Sequence, residues 1–118
     1  MTIEGGFPSL NDYIRAERGS LYAANAMKRE CTDLAAWSSR KARMPRFSKP
    51  VTVRFRWVER NRRRDLDNVA FAKKFVLDGL VAAQVIGNDT PQYVRGFTDS
   101  FAYDSASPRI EVEVTDEA

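Results

Sequence analysis

The stretch Val51-Thr-Val-Arg-Phe-Arg-Trp-Val-Glu59 constrains the fold of this chain more than any other. Val51, Val53, Phe55 and Trp57 alternate with Thr52, Arg54, Arg56 and Val58. A period of two, built from β-branched and aromatic residues, specifies a strand with one buried face and one polar face. The buried face needs a cover, and two segments with helical periodicity can supply it. From Leu10 to about Ala42 there is no Pro and one Gly. Apolar residues recur there at Tyr13, Ala16, Leu21, Ala24, Met27, Cys31, Leu34 and Trp37, steps mostly of three and four. That spacing predicts an amphipathic helix, interrupted near Gly19 and Ser20. A second helix is expected from Asn68 to about Val85, with Asp67 capping its start and Gly87 just past its end.

Three further segments read as strands: Ile3–Phe7, Tyr93–Tyr103 with a bulge near Gly96, and Arg109–Thr115. The order β-α-β-α-β-β predicts an α+β domain, a small mixed sheet with helices packed on it. The 118 residues make one domain, 1–118, with no repeats. Trp37, Trp57 and the phenylalanines are expected in its core.

The residue inventory excludes much chemistry. With no His and a single Cys, Cys31, the chain has no Ser-His-Asp or Cys-His catalysis, no His metal ligand, no disulfide framework and no Cys-rich zinc site. The longest charge-free run, Gly79 to Asn88, is ten residues, against about 18 for a membrane helix. The opening Met-Thr-Ile-Glu-Gly-Gly does not read as a signal peptide, which predicts a cytosolic protein. Catalysis, if there is any, falls to carboxylates, Lys, Arg, hydroxyls or a hard metal held by oxygens.

Charge is distributed unevenly along the chain. Residues 1–64 carry 15 basic and 6 acidic side chains, whereas residues 65–118 carry 4 and 10. Arg40 to Arg64 alone holds eleven Lys or Arg against one acid, Glu59. Cations at that density repel one another unless a polyanion neutralises them, and nucleic acid is the commonest such partner. Arg54 and Arg56 are either a solvated strand face or phosphate contacts.

Directly after this basic segment comes Arg62-Arg63-Arg64-Asp65-Leu66-Asp67-Asn68. In an extended segment Asp65 and Asp67 point to one side. Their carboxylates can then converge on a cation such as Mg²⁺. The plainer alternative is that Asp65 pairs with Arg63 or Arg64 while Asp67 caps the helix. Asp89 lies in the loop closing the second helix, and its nearness to the pair is an assumption. Lys74 follows Asp67 by two helical turns and can reach back toward it, or else pair with Asp78 at i+4. Lys73 points about 120° away from that face.

The run at 62–68, the Lys-bearing helix with Leu77-Asp78-Gly79-Leu80 and the acid at 89 together resemble the RusA family of Holliday junction resolvases. Phe7-Pro8-Ser9-Leu10-Asn11 is similar to that family's opening after the first strand, and Arg109–Val114 to its closing strand. The resemblance implies a homodimeric, Mg²⁺-dependent endonuclease, with Mn²⁺ as a substitute ion. Such an enzyme cuts four-way DNA junctions by paired nicks and is encoded by a bacterium or phage. Asp65, Asp67 and Asp89 would hold metal, and the family's catalytic Lys falls on Lys74. That Lys follows the second Asp by seven residues rather than four, a longer spacing similar to that of phage-type members. Arg54, Arg56, Arg62, Arg63, Arg64 and Asn68 would contact DNA. The dimer interface is expected from the long helix with Trp37 or the second helix with Phe71 and Phe75. The rival readings are a nucleic-acid-binding module without catalysis, and a phosphotransfer or phosphohydrolase enzyme acting on a small substrate.

Overall fold

The computed structural model describes residues 1–117. Eight elements follow one another: β1 (Thr2–Glu4), α1 (Leu10–Gly19), α2 (Leu21–Lys41), β2 (Val51–Glu59), α3 (Leu66–Ala70), α4 (Lys73–Ala82), β3 (Val94–Tyr103) and β4 (Arg109–Thr115). The strands form one mixed sheet in the order β1-β4-β2-β3. β2 runs parallel to β3 and antiparallel to β4, and β1 closes the other edge antiparallel to β4. The expected α+β architecture is therefore present, with each predicted helix split in two.

The alternation in β2 does what its period requires up to Trp57 and fails at Val58, an apolar residue assigned to the polar face that is buried. Val51, Val53, Phe55 and Trp57 are buried, while Arg54 and Arg56 are exposed. Val53, Phe55 and Trp57 pair with Val114, Val112 and Ile110 of β4, and Phe55 stacks on Trp57 with ring centroids 5.2 Å apart. Phe75, Val76 and Leu80 of α4 join them, with Ile3 and Ala35, in one core.

The structure differs from the sequence reading at several element ends. β1 stops at Glu4 because Gly5 turns into positive φ (77°) and donates its N–H to Pro108 O. Phe7 is thus a buried side chain beyond the strand. The first helix breaks where Gly19 and Ser20 suggested. Ser20 is extended (φ −169°, ψ 149°), ends α1, and starts α2 by accepting the Ala23 N–H on its Oγ. The second helix breaks at Phe71–Ala72, and α4 ends at Ala82. Asp65, not Asp67, occupies the N-cap position of α3.

α2 keeps Ala24, Met27 and Cys31 of the expected face against the core but turns the larger residues out. It buries Ala24, Cys31, Ala35, Ala36, Ser38 and Ser39 and leaves Leu21, Leu34 and Trp37 exposed. The small residues win because α2 and α4 approach too closely for large ones. A Cβ placed on Gly79 of α4 would collide with Ala35 Cβ, and would come within 2.8 Å of Ala36 N and 2.9 Å of Thr32 O. Trp37 on α2 and Phe97 on the edge strand β3 are not core residues, at 56% and 43% exposure. Phe75 is core, so it cannot contribute to an interface.

Candidate nucleic-acid and metal site

The basic loop and the first two acids lie beyond the C-terminal end of β2. Asp104 N bonds to Glu59 O there, and the Arg62 guanidinium sits 4.6 Å from the centre of the Tyr103 ring. Residues 60–67 are all exposed.

Three consecutive arginines have three different environments. Arg64 is a strut, donating to Phe7 O and to Asp12 Oδ2, both at 3.2 Å, and lying 3.7 Å from Glu59 Oε1. Asp12 is itself fixed by the capping box of α1, where it accepts the Ser9 N–H. That hydrogen bond, with help from the Ser9 hydroxyl and the Arg64 charge, holds its carboxyl below the usual carboxylate range. Arg62 is stacked on Tyr103. Arg63 and the neighbouring Arg60 make no ion pair among the described residues. Both line a cleft of about 400 Å³ with Gly6, Asn61 and Pro108.

Asp65 is extended (φ −66°, ψ 148°) and makes no capping bond. Asp67 lies in the first turn of α3, where its Oδ1 accepts the next backbone N–H, from Asn68, at 3.0 Å. The two acids therefore flank a helix start rather than lying along one strand. The extended-segment argument for their convergence does not apply, because i and i+2 do not face each other on a helix. The pairing alternative does not apply either. Neither Asp65 nor Asp67 has a Lys or Arg within 4.0 Å among the described residues, since Arg64 is committed to Asp12 and Glu59. Asn68 is half-buried.

Asp89 is elsewhere. Its loop, where its N–H bonds to Asn88 Oδ1, precedes β3 at the N-terminal end of the β2–β3 pair, where Val51 N bonds to Tyr93 O. Nine residues of β2 separate the two ends, a span of about 26 Å at ~3.3 Å per step. Among the described residues no three acids or cysteines assemble into a group able to hold a metal ion. Within one chain, Asp65, Asp67 and Asp89 do not meet.

The two lysines divide in a way that their sequence positions did not reveal. Lys74 pairs with Asp78 at 3.8 Å, the i+4 partner on its own helix. Lys73 reaches the sheet: its Nζ lies 2.7 Å from Asp99 Oδ2 and over the rings of Phe97 and Phe55. Arg54 and Arg56 pair across β4 with Glu113 (3.6 Å) and Glu111 (3.1 Å). They sit on the exposed face of β2, turned away from the core. Glu111, held by Arg109 and Arg56, lies below the usual carboxylate range. Arg60 lies in the loop 60–64 that the basic run marks for phosphate contact, whereas Asp12, Asp99 and Tyr103 were not singled out by sequence, since only tertiary contacts tie them to their partners.

Among the described residues no helix is long and apolar enough to cross a membrane. No protein-family model and no curated protein matches this chain.

Proposed function

We propose that this chain is a RusA-like, Mg²⁺-dependent, structure-selective DNA endonuclease that resolves four-way junctions by paired nicks. One observation carries the reading. Asp65 and Asp67 are exposed beside three arginines, yet neither is neutralised by any of them. Two free carboxylates next to a cationic surface suit a hard divalent ion brought together with a phosphate. Their oxygen donors fit Mg²⁺, which takes one or two carboxylates and keeps its remaining sites for water and phosphate. When bound, the ion supplies charge stabilisation at the scissile phosphate and a nucleophilic water at neutral pH.

The chain's own residues do the positioning. Arg60 and Arg63 draw the DNA backbone into the cleft, and Arg62 stacked on Tyr103 holds it beside Asp65. Arg64, pinned to Asp12 and Glu59, fixes the loop so that the acids keep their place. Asp89 joins this site from a second copy of the chain, since it lies at the other end of β2 in its own. A two-fold dimer then carries two complete sites, as two nicks require.

A second reading has support in the same geometry. If no copy supplies Asp89, the chain is a nucleic-acid-binding module without catalysis. Incubating the protein with a synthetic four-way junction and a linear duplex, with and without Mg²⁺, separates the two. Paired, Mg²⁺-dependent nicks in the junction support the nuclease. Salt-sensitive binding with no cleavage supports the module, and salt-independent behaviour overturns both.

A further inference from the structure

We propose that the outer edge of β3 is the surface on which two copies of this chain pair, antiparallel about a two-fold axis. The inference deepens the composite-site reading above and rests on it for its functional meaning. The edge itself is visible in the topology. β3 is the last strand of the sheet, ten residues and nine steps long, about 30 Å. β1, at the other edge, has three residues. Among the described residues, no loop or helix makes a backbone hydrogen bond to residues 95–103 apart from the β2 ladder.

A strand of this length at an edge is ordinarily protected by Pro, Lys or an inward-pointing charge. Val94–Tyr103 contains neither Pro nor Lys. Its one cation, Arg95, sits at the bulge that opens the strand and donates to Glu117 O, which leaves the eight residues from Gly96 to Tyr103 in continuous register. Its one acid, Asp99, is neutralised by Lys73 and bonded to Trp57 Nε1. The helices also stop short of this strand, leaving Phe97 and Tyr103 exposed. Among the described residues the edge is therefore unpaired, in continuous register over eight residues, and flanked by two partly exposed aromatic rings.

Chain direction selects the occupant. Asp89 lies five residues before β3, and Asp104, just after it, bonds to the C-terminal end of β2, next to the Arg62–Asp67 loop. Antiparallel pairing of two β3 edges sets the start of one strand beside the end of the other. The Asp89 loop of each copy then faces Asp65 and Asp67 of its mate, and the two-fold axis does this twice. Another exposed apolar patch, Leu34 and Trp37 on α2, shares a groove with Thr2 and Glu4 of β1. It lies at the opposite edge of the sheet, so pairing there leaves the acids apart.

Cross-linking with engineered cysteines tests the edge without reference to activity. Cys31 is buried, and desolvation with the nearby Glu30 charge pushes its thiol up to about 11, so it stays silent in the background. Single variants Thr98→Cys, Ser100→Cys and Ala102→Cys are oxidised at micromolar concentration beside Trp37→Cys. The expected result is a disulfide-linked dimer from at least one β3 position and none from position 37. Phe97→Lys, with an unchanged circular dichroism spectrum, should halve the mass seen by light scattering. A monomeric wild type, or a dimer cross-linked only through position 37, overturns the proposal. Mixing Asp65→Asn with Asp89→Asn protein reports separately on the composite site. Restored nicking without β3 cross-links removes the edge but keeps the site, and β3 cross-links without nicking do the reverse.

Discussion

Lys73 Nζ and Asp99 Oδ2 lie 2.7 Å apart, joining the start of α4 to the edge strand β3. The pair is mostly sheltered, and the same carboxylate accepts the buried Trp57 Nε1–H through its other oxygen at 2.9 Å. Asp99 therefore satisfies an indole donor in the core as well as a lysine above it.

Asp99→Ala should cost about 1–3 kcal/mol, because it strands both the indole N–H and the ammonium. Asp99→Asn keeps an acceptor for the indole and should cost less. Urea denaturation followed by tryptophan fluorescence measures both. Equal losses would mean that the ion pair, not the indole bond, dominates.

The arginines at 62–64 should separate in their effects. Arg64→Ala removes the strut to Phe7, Asp12 and Glu59 and should lower stability. Arg60→Ala and Arg63→Ala should leave stability within about 0.5 kcal/mol, as surface changes do. Each should instead reduce the log–log salt slope of junction binding by about 0.9. Fluorescence anisotropy across a salt series, paired with thermal melts, checks the division.

How much of this was legible in the sequence depends on the range of the interaction. β2 was readable from its alternation at every position but Val58, which the period of two places on the polar face and the structure buries. The break at Ser20 was readable too, because Gly and Ser mark helix ends locally. The full face that α2 buries was not. Its Ala and Ser stripe is chosen by the close approach of Gly79, 44 positions beyond Ala35, and period alone could not choose it over Leu34 and Trp37. At the site, the acids and arginines stood out by type and spacing. Which arginine is a strut, and where Asp89 lies, depend on Asp12 and on the direction in which α4 runs.

That helix contact yields its own test. Gly79→Ala drives a methyl group against Ala35 and the backbone at Thr32 and Ala36. Backbone cannot move aside as a flexible side chain can, so overpacking should cost about 1–3 kcal/mol. Ala35→Gly should relieve part of that loss when combined with it. A double variant no better than the single one would place the strain in the backbone contacts alone.

Acid should loosen the α1 end of the molecule. Asp12 is held below its ordinary value of 3.8 by the Ser9 hydrogen bonds and Arg64. A carboxyl with a depressed folded value contributes stability that is complete above the unfolded value. That contribution is lost as pH falls through the folded value. Melting temperature should thus be flat down to about pH 4 and fall below it. In Asp12→Asn, already lacking the charge, the fall should be shallower. An identical acid profile in the two proteins would mean that other carboxylates, such as Asp104 and Glu111, carry the acid dependence.

The catalytic reading predicts that Asp65→Asn, Asp67→Asn and Asp89→Asn each abolish cleavage while keeping or strengthening junction binding. Removing a negative charge beside a phosphate does not weaken attraction, whereas it weakens a site for a hard ion. The separation of Asp65 from Asp89 in one chain adds a sharper expectation. In a mixed dimer of Asp65→Asn and Asp89→Asn chains, one site combines both defects. The other combines the intact Asp65 of one chain with the intact Asp89 of its mate. Mixing two inactive proteins should therefore restore nicking of one strand, at up to a quarter of the wild-type number of sites for random exchange. Mixing Asp65→Asn with Asp67→Asn should restore nothing, because those two acids belong to the same half of the site. Rescue in the second mixture, or none in the first after subunit exchange is verified by mass, would return Asp89 to a role outside the metal site.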